Sequence, residues 1–252
     1  MLWDASAIKG YSISGSDGSL GSVSDILFDD TRWTARWLVV DTGNWLAGRK
    51  VLLPVSALGK LNPSLHALNV MLTMQQVKES PDIDADRPVS RQAEADVYDF
   101  YGFQSYWGAE LYPISNGIAV PPLVPLPPSA VEAELHAMAQ QRHDRDDPHL
   151  RSVEAVTGYH IRATDGEIGH VEDFLFEDAD WTIRYLEVAT KNWWPGKRVL
   201  IYPRLVKEIE WSERLVHLNV DRQKVQDSPP YDASITVDGA YAEKFQSYYD
   251  GF

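Results

Sequence analysis

The stretch Gly43-Asn44-Trp45-Leu46-Ala47-Gly48-Arg49-Lys50 has the outline of a phosphate loop, in which backbone amides cradle phosphate and a following Ser/Thr hydroxyl holds magnesium. That hydroxyl is absent, the related stretch 191–198 begins with Lys191 instead of glycine, and Val51 to Val55 reads as a strand where a helix should start. Nucleotide chemistry is therefore set aside. The loop is expected to join two strands, with Gly48 and Gly196 making the turn and Trp45 and Trp193 covering a barrel end. A second reading makes Trp45, Arg49 and Lys50, with Trp193, Lys197 and Arg198, a partner-binding surface, because aromatic and cationic side chains anchor interfaces.

His160 and His170 could hold a divalent ion with Glu172 if a hairpin places them opposite one another. Ser12 and Ser22 occupy the related earlier positions, so solvent-facing side chains explain the histidines and no metal is expected. The cluster His143, Asp144, Asp146, Asp147 and His149 lacks a rigid spacing and reads as a solvated segment. There is no Gly-x-Ser-x-Gly elbow for a serine nucleophile and no cysteine for a thiolate. The recurring carboxylates have structural readings: Asp25 and Asp173 in salt bridges, Asp30 and Asp178 as turn caps. The expectation is a protein without catalytic residues or cofactor, and so not an enzyme.

These residues sit on a chain that resembles itself. Shifted by 148 positions, Gly10 to Val40 aligns with Gly158 to Val188, with identities that include Gly10/Gly158, Tyr11/Tyr159, Asp17/Asp165, Gly21/Gly169, Asp25/Asp173, Phe28/Phe176 and Arg36/Arg184. Later landmarks match only with small gaps: Leu68-Asn69-Val70 with Leu218-Asn219-Val220, and Phe103-Gln104-Ser105-Tyr106 with Phe245-Gln246-Ser247-Tyr248.

Within each copy, short apolar and β-branched runs bounded by turn residues predict strands at Tyr11 to Ser14, Ser22 to Phe28, Ala35 to Asp41, Lys50 to Val55 and His66 to Leu72. Asp17-Gly18 and Asp165-Gly166 are hairpin turns. A second hairpin closes around Asp29 to Arg32; if Phe28 opposes Trp33, Asp25 faces Arg36 and Asp173 faces Arg184, which predicts two equivalent salt bridges. Apolar residues lie on both faces of this hairpin, so its outer face needs a cover: the other copy, a helical tail or a partner. The aromatic ends, Tyr98 to Trp107 and Tyr241 to Phe252, have the spacing of helices packed on their own barrels. Between the copies, Pro121 to Pro128 predicts an extended spacer, and Ser129 with Glu132 opens a short amphipathic helix to about His143.

A net charge of -14 argues against direct nucleic-acid binding and for a basic protein partner. No run of roughly 20 apolar residues is present to insert in a membrane, and the N-terminus does not look like a signal peptide, so the cytoplasm is expected.

The pattern Asp-Gly-x-x-Gly-x-Val-x-Asp followed by Arg-x-Leu-x-Val, present twice, resembles the PRC-barrel family, and Met74 to Asp82 and Tyr98 to Phe103 are similar to a bacterial subset of it. The resemblance implies a small open β-barrel that docks to other macromolecules and carries no shared catalytic motif. The expected fold is mainly β with short helices: two tandem small PRC-type β-barrels at 1–108 and 149–252, joined by a Pro-rich linker and helix at 109–148. The expected role is non-catalytic protein binding or scaffolding by an internal pseudo-dimer that could further self-associate. The alternative is a small-ligand sensor or enzyme using a cleft between the barrels.

Overall fold

A computed structural model describes residues 1–81, 91–103, 149–190, 197–231 and 239–249. The first half runs β1 (Leu2–Asp4), α1 (Ala5–Ile8), β2 (Ser12–Ser14), β3 (Ser19–Asp29), β4 (Thr34–Asp41), β5 (Lys50–Pro54), β6 (Leu58–Asn62), β7 (Ala67–Val70), α2 (Met74–Glu79) and α3 (Arg91–Tyr101). The second runs β8 (Leu150–Ser152), α4 (Val153–Val156), β9 (His160–Ala163), β10 (Gly166–Glu177), β11 (Ile183–Ala189), β12 (Arg198–Ile201), β13 (Val206–Glu210), β14 (Leu215–Leu218), α5 (Arg222–Gln226), β15 (Pro230–Tyr231) and α6 (Gly239–Tyr249). The expected spacer and helix at 121–143 lie outside the described residues.

The protein is mainly β, with two sheets. One has the order β5-β4-β3-β2-β7-β6, the other β15-β12-β11-β10-β9-β14-β13. Neither is hydrogen-bonded into a closed barrel among the described residues, since no ladder joins β5 to β6 or β15 to β13. Counterpart strands stay 148 residues apart to the ends of the halves: β2 pairs in parallel with β7 as Ser12↔Ala67, and β9 with β14 as His160↔Leu215. This constant spacing corrects the gapped matches. Leu68-Asn69-Val70 corresponds in space to Val216-His217-Leu218, and Phe103 follows α3 whereas Phe245 is buried within α6. The shared tripeptide and tetrapeptide do not mark equivalent positions.

The Asp-Gly hairpins form as expected, joining β2 to β3 and β9 to β10. Each turn aspartate also accepts a backbone N–H from the start of a later helix, Met74 at 2.8 Å and Arg222 at 2.8 Å. The second hairpin corrects the predicted register. Trp33 adopts φ 54° and its N–H donates to the Asp29 carbonyl, so the turn is longer than expected and Phe28 opposes Ala35. Bulges between Val23 and Asp25 and between Leu27 and Phe28 shift the ladder further, leaving Asp25 opposite Val39. The arginines consequently reach the acid at the end of the strand: Arg36 pairs with Asp29 at 3.3 Å, and Arg184 with Glu177 at 3.3 Å. The Asp25–Arg36 and Asp173–Arg184 pairs do not form. β6, Leu58-Gly59-Lys60-Leu61-Asn62, was not expected, because a glycine and a lysine break the strand pattern.

The apolar faces of the β3–β4 hairpin are covered in part by the other half, at Phe28, and in part by α3 of its own half, at Trp37. β1 leaves its own half and pairs with β10, as Leu2↔Glu177 and Asp4↔Leu175, while β8 pairs with β3, as Leu150↔Asp29 and Ser152↔Leu27. The hairpin tips also meet: the Trp181 carbonyl accepts from Ala35 N at 2.9 Å and the Trp33 carbonyl from Ile183 N at 2.7 Å. Phe28 and Phe174 touch across the seam at 5.3 Å, and one cluster of buried apolar side chains runs through both halves. The aromatic helices pack on their own sheets as expected, Tyr98 of α3 against Trp37 at 4.5 Å and Phe245 of α6 against Tyr185 at 5.3 Å. Tyr106, Trp107 and Phe252 lie outside the described residues.

Candidate functional site

The carboxylates that recur in both halves converge on the seam. Asp25 accepts from Ser152 Oγ and from Glu154 N at 3.0 Å, at the first turn of α4; Asp173 accepts from Ser6 Oγ and Ser6 N at 3.2 Å, at the first turn of α1. Each aspartate therefore caps the short helix of the opposite half, satisfying amides that have no partner within that helix. Burial raises both carboxyls above their ordinary range, with the serine hydrogen bonds opposing it. Asp30 accepts from Arg151 Nε at 2.7 Å and lies 2.9 Å from His149 Nδ1, while its counterpart Asp178 binds the Met1 ammonium at 2.6 Å. That contact with the chain terminus holds the Asp178 carboxyl below its usual range.

These contacts correct the expected roles of the four residues. Asp25 and Asp173 are helix caps across the seam, and Asp30 and Asp178 bind the crossing strands. The turn-capping task falls instead to Asp29, whose Oδ1 accepts from Thr31 N at 2.9 Å and Arg32 N at 2.9 Å. Burial would raise this carboxyl, but the hydrogen bonds from Thr31 and Arg32 and the charge of Arg36 outweigh it and hold it below the usual range.

Of the six residues proposed as a binding surface, Trp45, Arg49 and Arg198 have side-chain partners in their own halves. The Trp45 indole donates to the Leu20 carbonyl at 2.9 Å, and its ring packs against the core, as the covering role requires. The Arg49 guanidinium donates to the carbonyls of Lys78 at 3.3 Å and Ser80 at 2.6 Å, fastening the end of α2. Lys50 begins β5, and the Lys197 carbonyl accepts from Thr190 N and Oγ1. Arg198 pairs with Glu187 at 2.5 Å and Glu172 at 3.4 Å. Trp193 lies outside the described residues.

Glu187 was missed as a site residue. It stands where the first half has Val39, is 3% exposed, and its carboxyl is raised by burial, with Arg198 opposing. Asp4, carried over on β1, is raised by burial and by the charge of Asp173. A set of carboxyls raised by burial therefore lies along this side of the seam, with Arg198 the cation that offsets it at Glu187 and Asp4. Only the departure from valine at 187 signals this in the sequence.

Among the described residues, clefts open between the halves. One, of ≈ 200 Å³ and lined by Ser6, Lys9, Asp25, Glu154 and Asp173, is smaller than the roughly 300–1,000 Å³ typical of small-molecule sites. Another, of ≈ 540 Å³, is lined by Trp33, His149, Arg151, Arg204, Lys207 and Glu208 and reaches that range. His160 and His170 are direct cross-strand partners, the register their metal reading needed, and His170 Nε2 lies 3.3 Å from Glu172 Oε2. Among the described residues, the donors that converge within 4.8 Å are those of Glu208, Glu210 and His217. No described helix is long and apolar enough to cross a membrane.

The strand order, entered through an Asp-Gly hairpin in each half, defines a mainly β protein built on two open sheets. Residues 4–71 match the model of the PRC-barrel domain, from the end of β1 through β7, and the chain carries a PRC-barrel domain there. No curated protein matches the chain.

Proposed function

We propose that the chain is a non-catalytic protein-binding scaffold made of two PRC-barrel modules, 1–108 and 149–252, that arose by internal duplication and are joined by a connector at 109–148. The constant spacing of counterpart elements supports the duplication. One observation carries the functional reading. The carboxylates common to both halves, Asp17/Asp165, Asp25/Asp173 and Asp30/Asp178, are all engaged by backbone amides, capping serines or crossing strands. What recurs in these carboxylates builds a two-lobed body, and among the described residues no shared carboxylate is left without such a structural partner.

The β6–β7 and β13–β14 hairpin tips carry exposed apolar side chains, Leu65 at 72% and Trp211 at 46%, on a body of net charge -14. They offer paired contacts to a basic protein partner in the cytoplasm. In-cell crosslinking of the tagged chain, compared with Leu65→Ser/Trp211→Ser, tests this. A defined partner lost in the variant supports docking; no protein crosslinked above background refutes it.

The ≈ 540 Å³ cleft favours a second reading, a small-ligand sensor. A metabolite thermal-shift screen separates the two, because a ligand at about 100 times its Kd should add roughly 2.7 kcal/mol.

A further inference from the structure

We propose that the β13–β14 hairpin is a binding site for a divalent transition-metal ion of the zinc type, with Glu208, Glu210 and His217 as its ligands. Strand geometry assembles the set. Residues two apart on a strand share a face, which puts Glu208 and Glu210 side by side, and His217 is the direct cross-strand partner of Glu208. One donor atom from each residue lies within 4.8 Å of the others, and His217 Nε2 is 3.4 Å from Glu210 Oε2. Ligand atoms about 2.1 Å from a tetrahedral zinc are themselves about 3.4 Å apart, so this pair already has the separation an ion would impose.

Charge and chemistry support the same conclusion. Two carboxylates on one face repel, and Glu208 has no ion pair among the described residues, so a cation relieves what His217 alone does not. One imidazole with two carboxylates is a donor set for zinc-like ions, whereas calcium and magnesium take oxygen ligands. Ser212 Oγ donates to Glu210 Oε1 at 3.3 Å and orients that ligand. β13 is a sheet edge, open to entry by an ion. The fold does not require the triad, because the counterparts 148 residues earlier are Lys60, Asn62 and Asn69. Glu208 also lines the larger cleft between the halves, which sets the ion at its rim.

Those counterparts supply the test. Zinc is titrated calorimetrically into the full chain after chelator treatment, at pH 7.5, and into Glu208→Lys/Glu210→Asn/His217→Asn, with circular dichroism confirming that the variant folds. A further variant, His160→Ser/His170→Ser, removes the other histidine pair, and His149→Ala the adjoining one. The expected result is an equivalent of zinc bound by the parent and by both histidine controls, and weakened on the order of tenfold or more in the triple variant. Equal affinity in parent and triple variant, or no zinc bound by the parent, overturns the assignment. If the triple variant fails to fold, His217→Gln replaces it and is judged by the same outcomes.

Discussion

Replacing Asp173 with alanine should loosen the seam more than it harms either half. Its carboxylate accepts from Ser6 Oγ, from Ser6 N at 3.2 Å and from Phe174 N at 2.8 Å. Hydrogen bonds to a charged group are worth about 1.5–3 kcal/mol and a helix cap about 1 kcal/mol. The cost of burying the carboxylate, visible in its raised pKa, cancels part of this. A net loss of about 2 kcal/mol follows, or roughly 4–8 °C in Tm for a chain of this size. Asp25→Ala should cost a similar amount, and because both fasten one seam, the double variant should depart from additivity by at least about 0.5 kcal/mol. The discriminating assay is hydrogen exchange: amides of β1 should lose protection in Asp173→Ala ahead of those of β2. A loss under about 0.5 kcal/mol, or unchanged β1 exchange alongside a large drop in Tm, would refute the capping argument.

Two other outcomes are expected. Since burial raises the Asp173 carboxyl, its protonated form is favoured by folding; that contribution is complete below the unfolded pKa of about 3.9 and is lost as pH rises through the higher folded value. Asp173→Asn keeps an acceptor that cannot ionise, so stability measured by urea unfolding should fall less steeply than in the parent as pH climbs from about 4, and a matching slope contradicts the burial argument. Separately, a Cβ at Gly21 would lie 2.0 Å from the Asp41 carbonyl and one at Gly169 1.9 Å from that of Ala189. Either glycine to alanine should therefore cost on the order of 3 kcal/mol or more, against about 1 kcal/mol for Gly10→Ala, where φ is +85° but the space is open; similar Tm values for all three would show that close approach is not what these glycines serve.

Local features were readable from the sequence and long-range ones were not. Asp17-Gly18 announces its hairpin because a tight turn depends on the residues within it. The β3–β4 register depends on a positive φ at Trp33 and on two bulges, none of which carries a compositional mark, so Arg36 finds Asp29 instead of Asp25. The need for a cover over the β3–β4 hairpin follows from its two apolar faces, yet the part of that cover supplied by the other half rests on contacts between residues more than a hundred positions apart. Asp25 looked like half of a salt bridge for that reason: its true partners, Ser152 and Glu154, belong to the other half. Trp45 reads in sequence as a cover for a barrel end, with anchoring a partner as the second reading, and the bond to the Leu20 carbonyl assigns its indole to the fold. The triad of Glu208, Glu210 and His217 was overlooked because its third member joins through the ladder of an unexpected strand, β13.

The crossing of β1 and β8 bears on how the protein assembles. An interface formed by exchanged strands is indifferent to whether its two lobes belong to one polypeptide, so the first lobe of one molecule can embrace the second lobe of another, which is domain swapping. Tethering favours the closed monomer while the effective local concentration of one lobe about the other exceeds that of other chains. Refolding from concentrated solution should therefore populate interlinked dimers that persist on dilution, and lobes expressed as separate polypeptides should find one another and restore a single two-lobed particle.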